Sequence, residues 1–389
     1  MAITRLPGVR VIESSTAPDY TGTGARIPVI IGKSKNTIAS SAISIQKYTN
    51  WSDINKARDS DTKRGVGVYT GTPSTDGELL TFLHEFYEEA ETINSEDIGV
   101  PHIYVIDLGN AITSPLVISA MDLAKTIKGI NMEVYVGLTS TVSDGEEGTV
   151  TIQSLMATCY TKIASELQFG DIRTSYWTAT DALTDANIIA LNSSAVQKSR
   201  TYIAEPPLFG KTIARICTTP YDIEVGYLEY RSVEPGTFKS RSDTEKLALQ
   251  NAGIIFNADE SKFNKTWVRI NLGVSTAFGK TVSERPNDAL LHARYNADQC
   301  VNRCVAEIYP QLKANETVTS ISRQQTKVDK IVDDEIEKGA MMKGSKIIVT
   351  ESDIDAYLLK LESKLIPVNA TNNVDITVYV APPNTVASE

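Results

Sequence analysis

The sequence predicts a mixed α/β (α+β) fold with more than one lobe, and three observations carry the prediction. The chain has 389 residues, whereas single hydrophobic cores stop growing near ~250 to 300 residues. Between about residues 100 and 206, short β-rich runs alternate with helical patterns, as in a partly parallel sheet flanked by helices. Toward the carboxyl end, two long helical patterns give way to segments of period two, which marks a change of architecture.

Each element follows from its local pattern. Val9 to Glu13 is extended, and the turn-forming stretch SSTAPDYTGTG after it makes this a strand on a tether. The run IPVII ends at Gly32 and reads as a buried strand. Leu79 to Ala90 has helical spacing, with Leu79, Leu80, Leu83, Phe86 and Tyr87 on one side. His102 to Asp107 is β-rich. The alternation then runs through MEVYVGL, a helix near Thr151 to Leu167, IRTSYWTA, a helix near Asp185 to Val196, and RTYIAEPP. A helix in TEKLALQNAG stops at Gly253 and is followed by two short strands, IIFNAD and TWVRINLGV. Helices are predicted from about Pro286 to Lys313, capped by Asn287 or Asp288, and from about Ser320 to Lys338, before Gly339. SKIIVT, AYLLKLESKLI and VDITVYV alternate as strands. In the last, Val374, Ile376, Val378 and Val380 share one face, and VNATNN separates it from the body.

Composition narrows the function classes. A hydrophobic content of 41% with 22% charged residues is that of a globular protein, and the apolar run Ile27 to Ile31 is far shorter than the ~20 residues of a membrane span. The opening MAITRLPGVR lacks the apolar core of a secretory signal, so the chain is expected to stay in the cytoplasm where it is made. Four scattered cysteines are too few for a disulfide framework and are expected as reduced thiols. A net charge of −10, with no basic and aromatic cluster, opposes direct binding to nucleic acid.

Candidate chemistry is sparse. Gly32-Lys33-Ser34 follows an apolar strand, and Ile103 to Asp107 resembles the acidic strand of a nucleotide site. A phosphate loop needs a glycine five residues before Gly32, and Ile27 stands there. Gly65, Gly67 and Gly71 lack dinucleotide-site spacing and read as a loop. Cys300 and Cys304 lie one helical turn apart with His292 two turns earlier, which suits a metal, but the apolar neighbours favour core packing. His84 and His102 are isolated, and no serine sits in a nucleophile elbow. Asp333, Asp334, Glu335 and Glu337 interleave with Lys327, Lys330 and Lys338 at helical spacing, as on a solvated or protein-facing surface. No catalytic, cofactor or metal residues are assigned.

The opening Pro7-Gly8-Val9-Arg10-Val11-Ile12-Glu13, followed by Thr16-Ala17-Pro18 and a glycine-rich link, resembles the start of contractile tail sheath proteins of myophages and phage-tail-like particles. ISIQKYTNWSDINKA is similar to that family's strand and tryptophan-led helix. The carboxyl half matches in arrangement: Trp267 to Gly273, RPNDALLHARYNADQCV leading a long helix, a second helix closing at KGS, and three strands.

The resemblance implies a multi-lobed sheath fold with an inner lobe made from both chain ends. The corresponding division is a strand arm at 1–24, an α/β outer and middle part at 25–253, an inner lobe at 254–368 and a strand arm at 369–389. It also implies hexameric rings stacked helically around a tail tube, with the tube protein, baseplate and tail terminator proteins as partners, and no membrane insertion. Strands donated between subunits would use Val9, Val11, Ile12, Val374, Ile376, Val378 and Val380. The tube contact is expected on Arg323, Lys327, Lys330, Asp333, Asp334 and Glu337. An α/β enzyme and another strand-donating virion protein are the alternatives.

Overall fold

A computed structural model of the chain describes residues 26–39, 42–91, 102–127, 129–167, 172–219, 225, 229–230, 232–233, 241–262, 265–281, 283–286, 289–308, 318–351 and 359–365. Both expected strand arms, with Val9, Val11, Ile12, Val374, Ile376, Val378 and Val380, lie outside the described residues, as do the expected caps Asn287 and Asp288.

In chain order the elements are β1 (Pro28–Gly32), β2 (Ile45–Tyr48), α1 (Trp51–Ile54), α2 (Pro73–Asp76), α3 (Glu78–Glu91), β3 (Ile103–Asp107), α4 (Ser114–Ala124), β4 (Met132–Val136), β5 (Thr141–Ser143) and β6 (Thr149–Thr151). There follow α5 (Ile152–Leu167), β7 (Thr174–Trp177), α6 (Asp185–Ala190), β8 (Thr201–Ala204), α7 (Phe209–Thr218), α8 (Asp243–Asn251) and β9 (Ile254–Ile255). The carboxyl half holds β10 (Asn257–Lys262), β11 (Lys265–Ile270), α9 (Leu291–Ile308), α10 (Val318–Glu337), β12 (Lys346–Glu351) and β13 (Leu359–Lys364). Among the described residues, no helix is long and apolar enough to cross a membrane.

The centre is a seven-stranded sheet in the order β2-β3-β1-β4-β7-β8-β9, parallel except for the antiparallel edge strand β2. Its strands are apolar on both faces because helices cover both. On one face, Ile30, Val134, Tyr176 and Tyr202 pack beneath α3 and α7 and meet Leu291 and Tyr295 of α9. On the other, Val29, Ile31, Tyr135 and Trp177 pack beneath α4 and α5, with Ile188 of α6 and Leu249 of α8. The period of two along each strand sorts neighbouring residues onto opposite faces. A third cluster lies beyond the sheet: Ala297, Cys300 and Cys304 of α9 pack with Val328 and Val332 of α10 and with Ile347 and Val349 of β12. One helix, α9, therefore spans two cores.

Several boundaries differ from the local pattern. The helix expected to run to Val196 stops at Ala190, and Ser194–Val196 forms a single 3-10 turn. The stretch IIFNAD splits in two: β9 pairs with β8, and β10 turns away to pair with β11. Glu205 draws this break, since it accepts the Asn257 N–H while its own N–H donates to Ile255 O at 3.0 Å. α9 begins at Leu291, where its N–H donates to Gly273 O at 2.8 Å.

Helices α3 and α7 pack at close range. A Cβ on Gly210 would come within 2.3 Å of Phe82 O, so only glycine permits this approach. The Gly210 N–H donates to Glu85 Oε2 at 3.1 Å. Burial beneath α7 pushes the Glu85 carboxyl up from 4.5 to about 7, against the opposing pull of the Gly210 N–H and Lys211. A carboxyl raised on folding favours the neutral form, so stability is lost as pH rises from about 4.5 to about 7. The loss is about 2 kcal/mol, less than the full shift gives because the side chain keeps partial access to water. Glu85→Gln is expected to flatten this dependence, which urea midpoints at pH 5 and pH 8 would measure.

Candidate functional site

In open α/β sheets, ligands bind outside the carboxyl ends of the strands where the connections diverge. Here that position lies between β1 and β4, because β1 has β3 on one side and β4 on the other. The chain itself closes the crevice. Lys33 N–H donates to Val136 O at 3.1 Å, and Leu79 N–H donates to Lys33 O at 2.9 Å. A Cβ on Gly32 would stand 2.8 Å from Leu79 Cδ1, and one on Gly137 would stand 2.8 Å from Lys33 Cβ. Lys33 Nζ pairs with Glu78 at 3.3 Å, so the cation that a phosphate reader would present is engaged within the fold. Asp107 accepts from Asn36 Nδ2 and from Gly109 N–H, each at 2.8 Å, and faces Arg58 at 3.4 Å. Gly65 has a positive φ of 86° in a turn whose carbonyls at Lys56 and Ala57 stand 2.6 Å from where a Cβ would be.

The thiols and histidine grouped by spacing are placed by packing. Cys300 and Cys304 are fully buried in the third core, while His292 pairs through Nε2 with Asn296 Nδ2 at 3.1 Å, within α9. The hydrogen bond from Cys304 lowers the Cys300 thiol.

A polar surface is built by α9, α10 and the paired strands β12 and β13. α10 buries Val328 and Val332 and exposes Arg323, Lys330, Asp333 and Glu337. These four of the six expected contact residues share an accessible surface. The other two are drawn toward α9: Lys327 pairs with Glu307, and Asp334 faces Arg303 at 3.5 Å. Helical spacing puts Lys327 and Asp334 on the same stripe as the exposed four, and only the position of α9 separates them. Glu335, fully buried, pairs with Arg303 across the helices and with Lys338 at 3.5 Å.

Gln325 does what no sequence signal announces. Its Nε2 donates to Ile347 O at 2.8 Å, and its Oε1 accepts from Val349 N–H at 2.7 Å. One amide side chain thus engages two backbone groups of β12, in the pattern a partner strand would use. Among the described residues, β13 pairs only with β12, in antiparallel register from Lys346↔Lys364 to Glu351↔Leu359. Ile347 and Val349 face α10, and Ile348, 36% exposed, faces away.

A buried ion cluster fastens α9 to the sheet. Arg200, after the loop that leads into β8, donates to both oxygens of Asp298 at 2.9 and 2.7 Å, and Arg294 reaches Asp298 at 2.6 Å. Burial pushes the Asp298 carboxyl up, but the two guanidiniums overcome this and hold it below its ordinary value. Arg294 and Arg303, the other cations on α9 that could meet a partner, are thus occupied within the subunit.

No protein-family model and no curated protein sequence matches the chain. Solved structures do match, over nearly its whole length. A chain of the anti-feeding prophage baseplate, solved with sixfold symmetry applied, has a TM-score of 0.62 at 13% identity and covers 98% of this chain and 100% of its own. The sheath complex of an extracellular contractile injection system in its contracted state has a TM-score of 0.60 at 12% identity, covering 97% and 98%. The anti-feeding prophage helical sheath, also contracted, has a TM-score of 0.59 at 12% identity, covering 97% and 99%. At these identities the likeness is one of fold, and the fold expected from the sequence is the one found.

Proposed function

We propose that this chain, which has the fold of contractile sheath proteins, is a structural subunit of a contractile tail sheath. The observation that carries the reading is whole-chain similarity to sheath subunits, including both the sheet and the α9–α10–hairpin unit. The closed crevice between β1 and β4 argues against the α/β enzyme reading. In this proposal the subunits form hexameric rings stacked around a tail tube, ending at a baseplate and a terminator, in the tail of a phage or phage-like particle. Residues 254–368 form the inner lobe, 25–253 the outer part, and 1–24 and 369–389 the arms. Electron microscopy of the purified protein tests this: striated tubes or polysheaths support it, and uniform small globules that turn over a substrate would overturn it.

Strand donation supplies the links. Gln325 occupies two backbone groups on the outer edge of β12, which favours the outer edge of β13 as the acceptor for a strand carrying Val9, Val11 and Ile12 or Val374, Ile376, Val378 and Val380. Contraction is then a change between two packings of rigid bodies, with tethers absorbing the rotation. Its energy is stored in the interfaces at assembly. Purified sheaths are therefore expected to contract at full extent in EDTA without nucleotide, and a requirement for ATP or a divalent ion would refute this.

The tube contact falls on the exposed face of α10. A contact that must hold and later release suits charge pairs worth ~0.2 to 1 kcal/mol each, acting in number. Arg323→Glu with Lys330→Glu is expected to weaken tube-templated assembly severalfold, more at low salt, with the thermal midpoint nearly unchanged. Lys327 is left out of this test because reversing it would set a carboxylate against Glu307 and destabilise the α9–α10 pair. Co-sedimentation with tubes at two salt concentrations measures the effect, and unaltered binding would move the contact off α10.

A further inference from the structure

Arg26 sits just before β1 at the amino edge of the sheet, the end away from the closed crevice. Its side chain is buried, 2% exposed, and its Nε and Nη2 find no acceptor among the described residues. Nη1 donates to the Ile216 carbonyl, and the guanidinium lies 3.9 Å from the centre of the Tyr295 ring. A buried cation ordinarily has a counter-charge or a full set of acceptors, because desolvation without them is costly.

Asp298 lines the same small cavity but does not supply that charge. Its Oδ1 accepts from Arg200 at 2.7 Å and from Arg294 at 2.6 Å, and its Oδ2 accepts from Arg200 at 2.9 Å. That carboxylate is thus already engaged by Arg200 and Arg294, and Arg26 has no carboxylate partner among the described residues. The cavity, about 30 Å³, is also lined by Asn131, Gln299 and Asn302. Asn131 uses its Oδ1 to accept from Ile27 N–H at 2.9 Å, which keeps its Nδ2 as the polar group still able to donate. The space admits a water-sized group.

We propose that the corner formed by Arg26, Asn131, Gln299 and Asn302 is a binding site for one small free anion, chloride. Its occupant would join β1 and β4 to α9 and so strengthen the junction between the sheet and the third core.

Thermal unfolding of the full chain at constant ionic strength, with chloride replacing gluconate, tests the site. The midpoint rises by about 2 °C when chloride reaches ten times its Kd. The rise is lost in Arg26→Met and in Asn302→Leu. Asn302 is on the half-buried rim, so its variant keeps the test valid if Arg26→Met does not fold. Line broadening of the chloride-35 NMR signal by the wild type, reversed by formate, reads the same binding directly. No chloride response in the wild type, or an undiminished response in Asn302→Leu, would overturn the proposal.

Discussion

Deleting residues 1–13 or 374–389 is expected to abolish tube formation while leaving a folded subunit. In the proposed assembly both segments are strands donated to neighbouring subunits, so the cost falls on contacts between subunits. A donated strand of several residues contributes ~1 kcal/mol net per backbone hydrogen bond, and side-chain burial adds to this. Loss of that contribution at every subunit of a tube leaves no continuous connection. Sedimentation and electron microscopy of each truncation report assembly, and circular dichroism reports the fold. Normal tubes from either truncation would show that the arms are not the links.

Asp298→Ala is expected to destabilise the subunit by about 3 to 5 kcal/mol, the range for breaking a buried pair by removing one partner. The side chains of Arg200 and Asp298 are each 8% exposed, and Arg294 shares the same carboxylate, so the substitution removes a charge that two guanidiniums use. Asp298→Asn should recover part of the loss, since an amide oxygen still accepts one hydrogen bond. The carboxyl is lowered on folding, so its contribution is present above its unfolded value and is lost as pH falls through the folded one. Urea unfolding at neutral pH gives the loss, and repeating it in acid should narrow the gap between wild type and variant. Equal midpoints at neutral pH would mean that α9 is held to the sheet by packing alone.

Most elements were legible because their signals are local. The run ending at Gly32 became β1, and the spacing of Leu79, Leu80, Leu83, Phe86 and Tyr87 became the buried side of α3. The apolar context of Cys300 and Cys304 pointed to the core in which both are buried. Boundaries were less legible where a tertiary hydrogen bond sets them, as Glu205 does between β9 and β10. Period and charge assign the six expected contact residues to one stripe of α10, but tertiary packing exposes only four of them, since Lys327 and Asp334 pair with α9.

Local pattern was enough for the mixed α/β class, most of the strands and helices and the mixed charge of α10, because backbone geometry ties these to residues a few positions apart; it did not single out α4 or α7. Tertiary structure decided the rest. It set β1 between β3 and β4 and filled the crevice there, joined Arg200 to Asp298 across 98 positions, and brought Gln325 to the edge of β12. Such pairings depend on the path the whole chain takes. A side chain's partner is whichever group that path brings within hydrogen-bonding reach, and no local period encodes it.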